Sequence, residues 1–268
     1  MPPTGLHIQI ANEYYGGKMD GQEVYAVLPD FVWYFIPKIS FEKSHDRINI
    51  QRIKSYVESS DRGNYWIPEL MYHHIMLDDI HDGEEGFLKP WERKIYETLS
   101  AQREFKHYPE RLILDLAGIL MDFSLDFSFF ETEGHSIVEK LNRSKKNFIP
   151  DNLEAHLSAG YGKIHNENTF YDFALDFQNY DFRNITSVEG LIKTHNMFVT
   201  PNEGKVERNS WSVETILTHI LGNNKKRNRL KKILYELKKE FSSYLKEIIH
   251  FSLSRLNQYK RESGFLLF

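Results

Sequence analysis

Between His73 and Glu85 the chain reads His-His-Ile-Met-Leu-Asp-Asp-Ile-His-Asp-Gly-Glu-Glu, and within it His74, Asp78, His81, Asp82 and Glu85 recur every three or four residues. On an α-helix that spacing places them on one face. Imidazole nitrogens and carboxylate oxygens together suit a divalent cation, with Mg, Mn, Fe or Zn as the candidates. Carboxylates at a helix C-terminus also oppose its dipole, at a cost of about 0.3–1 kcal/mol that a cation or a basic partner would offset. Without either, the same string is a solvated acidic helix end, with Gly83 as its stop.

A second stripe lies further on. Asp115, Asp122 and Asp126 are seven and four residues apart in the otherwise apolar run from Leu112 to Phe130. A narrow line of carboxylates on an apolar helix is how ligands project into a metal-binding bundle. It also describes a helix whose polar edge faces water. If the two helices faced one another, His74, Asp78, Asp82, Asp115, Asp122 and Asp126 would form one ligand set. The string Asp78-Asp79-Ile80-His81-Asp82 is similar to the aspartate-rich element of isoprenoid synthases and terpene cyclases. That resemblance implies carboxylates holding Mg²⁺ against a diphosphate; it covers five residues, and no second aspartate-rich element follows.

Other chemistries are excluded by what is missing. There is no cysteine, so disulfides, thiolate nucleophiles, cysteine-based zinc sites and iron–sulfur clusters are out. The sequence has no HExxH, P-loop, GxSxG or GxGxxG pattern. The remaining histidines are isolated and read as packing or surface residues.

The C-terminal segment carries the other strong signal. Leu230, Leu234, Leu237, Phe241, Tyr244, Ile248 and Phe251 are spaced 4, 3, 4, 3, 4, 3, a heptad seam for self-association or a partner chain. A continuous helix there would be about 50 Å long. Lys225, Lys226, Arg227, Arg229, Lys231, Lys232, Lys238 and Lys239 cluster off the seam and would suit nucleic acid or an acidic partner. Net charge is −4, but residues 225–262 carry a local balance of +8 against −12 elsewhere. Charge so segregated points to a polyanionic or acidic partner.

The elements that would position these groups predict an α+β fold, predominantly α-helical. Leu6-His7-Ile8-Gln9-Ile10 alternates apolar and polar side chains, the period of a strand; with turn signals at Gly16-Gly17 and Asp20-Gly21 and a run from Glu23 to Leu28, it predicts an N-terminal β-hairpin or small sheet. Helices follow, with Ser44 or Asp46 as a cap and Pro68, Pro90 and Pro109 at helix starts. The body spans residues 1–200, and 201–268 form a C-terminal region with the long basic amphipathic helix. The most apolar stretch, Val24 to Ile39, is split by Pro29, Asp30 and Pro37 and is too short to cross a bilayer. With no basic-then-apolar leader at Met1, a cytoplasmic protein without membrane contact is expected. Abundant Lys, Asn, Ile and Tyr suit a microbial or viral source.

Two functional readings follow. The first is an assembly or adaptor subunit of an intracellular complex, an oligomer or partner-binding chain touching nucleic acid through its basic helix. The alternative is a metal-dependent helical enzyme acting on a phosphorylated or nucleic-acid substrate.

Overall fold

Leu6, His7, Ile8, Ile10 and Ala11 are all fully buried, and they lie on a helix, α1 (Thr4–Tyr14). The structure, a computed structural model, describes residues 4–36, 39–60, 64–83, 86–132, 134–163, 169–183 and 222–263. Among these residues there is no strand, which corrects the expected N-terminal hairpin. The alternation misled because a helix covered on every side needs apolar residues all round, and a short stretch of one can mimic a period of two. The turn signals do mark turns: Gly16, Gly17 and Gly21 all have positive φ, at 59°, 75° and 81°. After them a 3₁₀ segment, Glu23–Val27, leads into α2 (Leu28–Phe35), with Pro29 in its first turn and Asp30 beside it.

The chain forms two compact units. The first comprises Met1–Leu6, Ile80–Gly134 and Arg183–His250. In it α6 (Lys89–Ser100) and α11 (Asn224–Phe241) each lie along α7 (Glu110–Thr132). Ile95 and Leu99 of α6, Leu116 and Leu120 of α7, and Leu230, Leu234, Leu237 and Phe241 of α11 are buried. The Ser128 hydroxyl on α7 donates to the Lys238 carbonyl on α11 at 2.8 Å. The expected single rod is broken: α11 ends at Phe241 and α12 (Leu245–Ser263) begins after a turn. There the Ser242 and Ser243 hydroxyls donate to the carbonyls of Lys238 and Glu240 at 2.9 and 2.6 Å, competing for the groups a continuing helix would use.

The second unit comprises His7–Asp79, His135–Phe182 and Phe251–Phe268. It holds most of α1, then α2, the single-turn α3 (Phe41–Ser44), α4 (Arg47–Ser59), α5 (Trp66–Asp82) as far as Asp79, α8 (Gly134–Ser144), α9 (Pro150–Tyr161) and α10 (Thr169–Asn179). Asp46 caps α4, its carboxylate accepting from the Ile48 N–H at 2.9 Å. α4 packs on α9 through Gly160, where a Cβ would sit 2.6 Å from Cγ1 of Ile53. Phe31, Phe177, Tyr180 and Phe182 form an aromatic core with ring centroids 4.8–5.8 Å apart. The boundary drawn at residues 200 and 201 falls outside the described residues.

Candidate metal centre

Five side chains from four separate stretches of the second unit converge: His7 on α1, Asp30 in the first turn of α2, His45 between α3 and α4, and His74 and Asp78 one turn apart on α5. All are buried or nearly so, Asp78 being the most exposed at 13% of its side chain.

The separations are close to uniform. His45 Nε2 lies 3.3 Å from Asp30 Oδ1 and 3.2 Å from Asp78 Oδ2. His74 Nε2 lies 3.5 Å from Asp30 Oδ2 and from Asp78 Oδ2. Four donors on a tetrahedron about 2.0–2.1 Å from a central ion are about 3.3–3.4 Å from one another. Both oxygens of Asp30, both of Asp78 and Nε2 of His74 are buried without an aligned hydrogen bond. A purely ionic cluster needs well-directed hydrogen bonds to offset the several kcal/mol of desolvation per buried charge. Here the two imidazole Nε2 atoms and the two carboxylates are gathered at 3.2–3.5 Å, Asp30 meeting His45 and His74 through different oxygens.

The surroundings fix which imidazole nitrogens face that centre. His74 Nδ1 lies 2.8 Å from the Ala26 carbonyl, which can only accept, so Nδ1 carries a proton and Nε2 is the nitrogen that faces the carboxylates. His45 Nδ1 is 2.8 Å from the Ser44 hydroxyl, again leaving Nε2 inward. His7 stands one step out: its Nδ1 is 3.0 Å from Nδ1 of His74, and its Nε2 is 3.5 Å from Asp78 Oδ1. Since His74 Nδ1 carries the proton, His7 Nδ1 accepts and Nε2 carries the hydrogen that faces Asp78. The ligating atoms fall into two sets of three that share His74, one of His7, His74 and Asp78 and the other of Asp30, His45 and His74, each within 4.8 Å, and Asp78 links them through its contact with His45.

The charges respond to one another. Burial alone would raise the Asp30 carboxyl, but His74 and His45 outweigh it and hold it well below the usual carboxylate range. For Asp78 burial prevails and holds the carboxyl above its ordinary value, with His74 and His45 pulling the other way. Burial pulls the His45 imidazole down, yet its hydrogen-bonding carboxylates Asp30 and Asp78 push it up to about 10. His74 is raised for the same reason, by Asp78 and Asp30 against burial. The neighbouring His73, packed against Tyr14 and Tyr15 at 5.3 and 5.4 Å, is pushed down to about 3 by burial.

Of the residues singled out from sequence, the structure brings His74 and Asp78 together. The side chains of Asp82 and Asp115 lie outside the described residues. Asp122 and Asp126 are buried on α7 in the first unit, not on a wet edge, and the described metal-ligating groups do not include them. Asp126 instead accepts the Thr4 and Gly5 N–H groups at 3.0 and 2.8 Å, satisfying the start of α1. In the aspartate-rich string, Asp78 faces the histidines while Asp79 pairs with Arg47 at the surface. Of the seam residues, Leu230, Leu234, Leu237, Phe241 and Ile248 are buried, and Tyr244 is exposed.

Sequence reasoning missed His7, Asp30 and His45. The available signal was chemical: two further histidines and an aspartate in a helical chain without cysteine. Their separation in sequence hid it. No helix among the described residues is long and apolar enough to cross a membrane. No family model matches the chain, nor does any curated protein or solved structure.

Proposed function

We propose that this chain is a metal-dependent helical enzyme that hydrolyses a phosphorylated or nucleic-acid substrate at the Asp30, His45, His74 and Asp78 cluster. One observation carries the reading: four nitrogen-to-oxygen separations of 3.2–3.5 Å among two imidazoles and two carboxylates that are buried or nearly so. Two imidazoles and two carboxylates, with no sulfur donor, suit Zn²⁺, Mn²⁺ or Fe²⁺; the imidazoles argue against Mg²⁺. Bound there, such an ion would supply a Lewis acid and an acidified water.

The chain's own groups do the rest. The Ala26 carbonyl fixes a proton on Nδ1 of His74, the Ser44 hydroxyl meets Nδ1 of His45 so that its Nε2 faces the carboxylates, and His7 faces Asp78. Two carboxylates balance a divalent charge, so the loaded centre is neutral and accepts an anionic phosphoester without a like-charge penalty. Asp78, the most exposed of the set, marks the side from which substrate and water would enter.

The adaptor reading has less to stand on, because most of the seam is buried by the chain's own residues.

The test is metal analysis of the purified full chain, with thermal unfolding recorded on adding Zn²⁺ or Mn²⁺ and hydrolysis of bis(4-nitrophenyl) phosphate followed in parallel. We expect bound metal near one equivalent, a raised Tm, and loss of both metal and turnover in Asp78→Asn and His45→Gln. Absence of metal from the wild type, with no change in Tm on titration, overturns the reading.

A further inference from the structure

The turn after α6, residues 101–108, lies against the first two turns of α11 in the same unit. Arg229 donates to Gln102 Oε1 at 2.6 Å, and the Lys226 ammonium donates to the Tyr108 hydroxyl at 3.0 Å while standing 5.2 Å over its ring. This joins two basic stretches more than a hundred residues apart. Arg103 and Lys106 are exposed on the turn; Lys225 and Lys232 are exposed on the helix, with Arg227 and Arg229 partly so. From this juxtaposition we infer that the surface formed by Arg103, Lys106 and the start of α11 binds the phosphate backbone of a nucleic acid.

The hydrogen bonds within the surface set its shape without cancelling its charge. Lys226, Arg227 and Arg229 donate to neutral oxygens, those of Tyr108, Asn224 and Gln102. The carboxylates of Glu104 and Glu236 stand 3.9 and 3.8 Å from Lys225 and Lys232, at the outer limit of an ion pair, and exposed pairs of this kind contribute little. The helix start itself needs no ligand, since Asn223 already accepts the N–H groups of Lys225 and Lys226, both at 3.1 Å. What is left is side-chain charge that gains by meeting phosphates and releasing their counterions.

The partner is a nucleic acid rather than a lipid surface because of what accompanies the cations. A membrane-binding helix sets exposed Leu, Phe or Trp beside its lysines. Among the described residues of the turn and α11 no Leu, Ile, Val, Met, Phe or Trp side chain is exposed; the large exposed ring is Tyr235, at 67%, with Lys238 5.9 Å over it and Lys232 one turn before. An exposed tyrosine between lysines is a stacking position for a base, with the phosphates on either side held by the cations.

This inference is independent of the metal centre, and the experiment keeps it so by including EDTA. The full chain is titrated into a labelled single-stranded oligonucleotide of about 20 bases and followed by anisotropy, a length that spans more than one stacking position. With about five phosphates neutralised, affinity should fall roughly 10²–10³-fold between 50 and 200 mM salt. Arg227→Glu with Lys232→Glu, and separately Arg103→Glu with Lys106→Glu, should each weaken binding at least tenfold at unchanged Tm. Should the helix pair unfold the protein, the turn pair decides alone. No oligonucleotide binding at low salt, affinity indifferent to salt, or full affinity in the folded variants overturns the inference. So does sedimentation with phosphatidylserine vesicles by a protein that leaves the oligonucleotide free.

Discussion

The Tyr161 hydroxyl, at the end of α9, donates to the carbonyl of Ser44 at 3.0 Å, and Ser44 is the residue before His45. The bond is buried and spans 117 residues of sequence. With the Asn49 amide, which donates to the Lys43 carbonyl at 3.0 Å, it ties down the short link between α3 and α4, and with it the one inward imidazole that no helix carries. Tyr161→Phe removes that bond alone. We expect unfolding stability to drop by about 0.5–1.5 kcal/mol, the usual value of one intramolecular hydrogen bond. Metal affinity should fall by about tenfold or more, as for other groups that orient a ligand. Isothermal titration with Zn²⁺ separates the two effects; an unchanged Kd would show that His45 is placed by other contacts.

Protonation of His45 sets how metal affinity depends on pH. Its imidazole is raised to about 10 by Asp30 and Asp78 against burial. In the metal-free chain a raised imidazole stabilises the fold fully below its unfolded value, near 6.5, and that contribution is lost as pH climbs through about 10. A metal must displace the same proton, so binding releases it to the buffer. Apparent affinity should therefore rise about tenfold per pH unit below 10 for this one proton. Titration at pH 6.5, 7.5 and 8.5, in buffers of differing ionisation enthalpy, checks both slope and proton count. A pH-independent Kd would remove His45 from the ligand set.

How legible all this was depended on the range of each signal. Local signals held: Asp46 caps α4, Pro90 sits in the first turn of α6, and α7 begins directly after Pro109. The pair His74 and Asp78 was legible because i and i+4 share a helix face without knowledge of the fold. His7, Asp30 and His45 were not, since each has a local disguise. His7 sat in an alternating run, Asp30 interrupted an apolar stretch, and His45 lay beside two capping candidates. Only tertiary packing sets them within 4.8 Å of their partners. Asp126 had a spacing that fitted both a ligand stripe and a polar helix edge, and its oxygens accept the Thr4 and Gly5 N–H groups, contacts that no local pattern announces. The basic surface was half visible, because the lysines of α11 stand out in sequence whereas the turn that completes it is recruited through Gln102 and Tyr108.

Gly160 makes a prediction about how tightly the site is framed. A methyl group there meets Cγ1 and Cδ1 of Ile53 at 2.6 and 2.8 Å and the Asn49 carbonyl oxygen at 3.0 Å. Ile53 is fully buried and cannot swing clear, so α4 and α9 must separate. Gly160→Ala should lower stability by about 1–3 kcal/mol, typical of overpacking, despite alanine's better helix propensity. Because α9 also carries Tyr161, metal affinity should weaken with it. Urea unfolding with and without Zn²⁺ measures both, and a variant as stable as wild type would mean that α4 and α9 do not pack this closely.

Asp126 tests whether a buried carboxylate of the aspartate stripe ligates a metal or caps a helix. If it were a metal ligand, its loss would empty the centre. If it caps α1, its loss strands two N–H groups, those of Thr4 and Gly5, at a helix start where a negative charge is also favourable. The hydrogen bonds support the second account, so Asp126→Ala should lower unfolding stability by about 0.5–2 kcal/mol, the range measured for lost N-terminal caps. Asp126→Asn, which keeps an accepting oxygen, should recover part of it. Metal content should match wild type in both, measured per mole of chain on protein purified identically. A variant that folds with full stability and has lost its metal would move Asp126 into the ligand set and place the centre elsewhere than at Asp30, His45, His74 and Asp78.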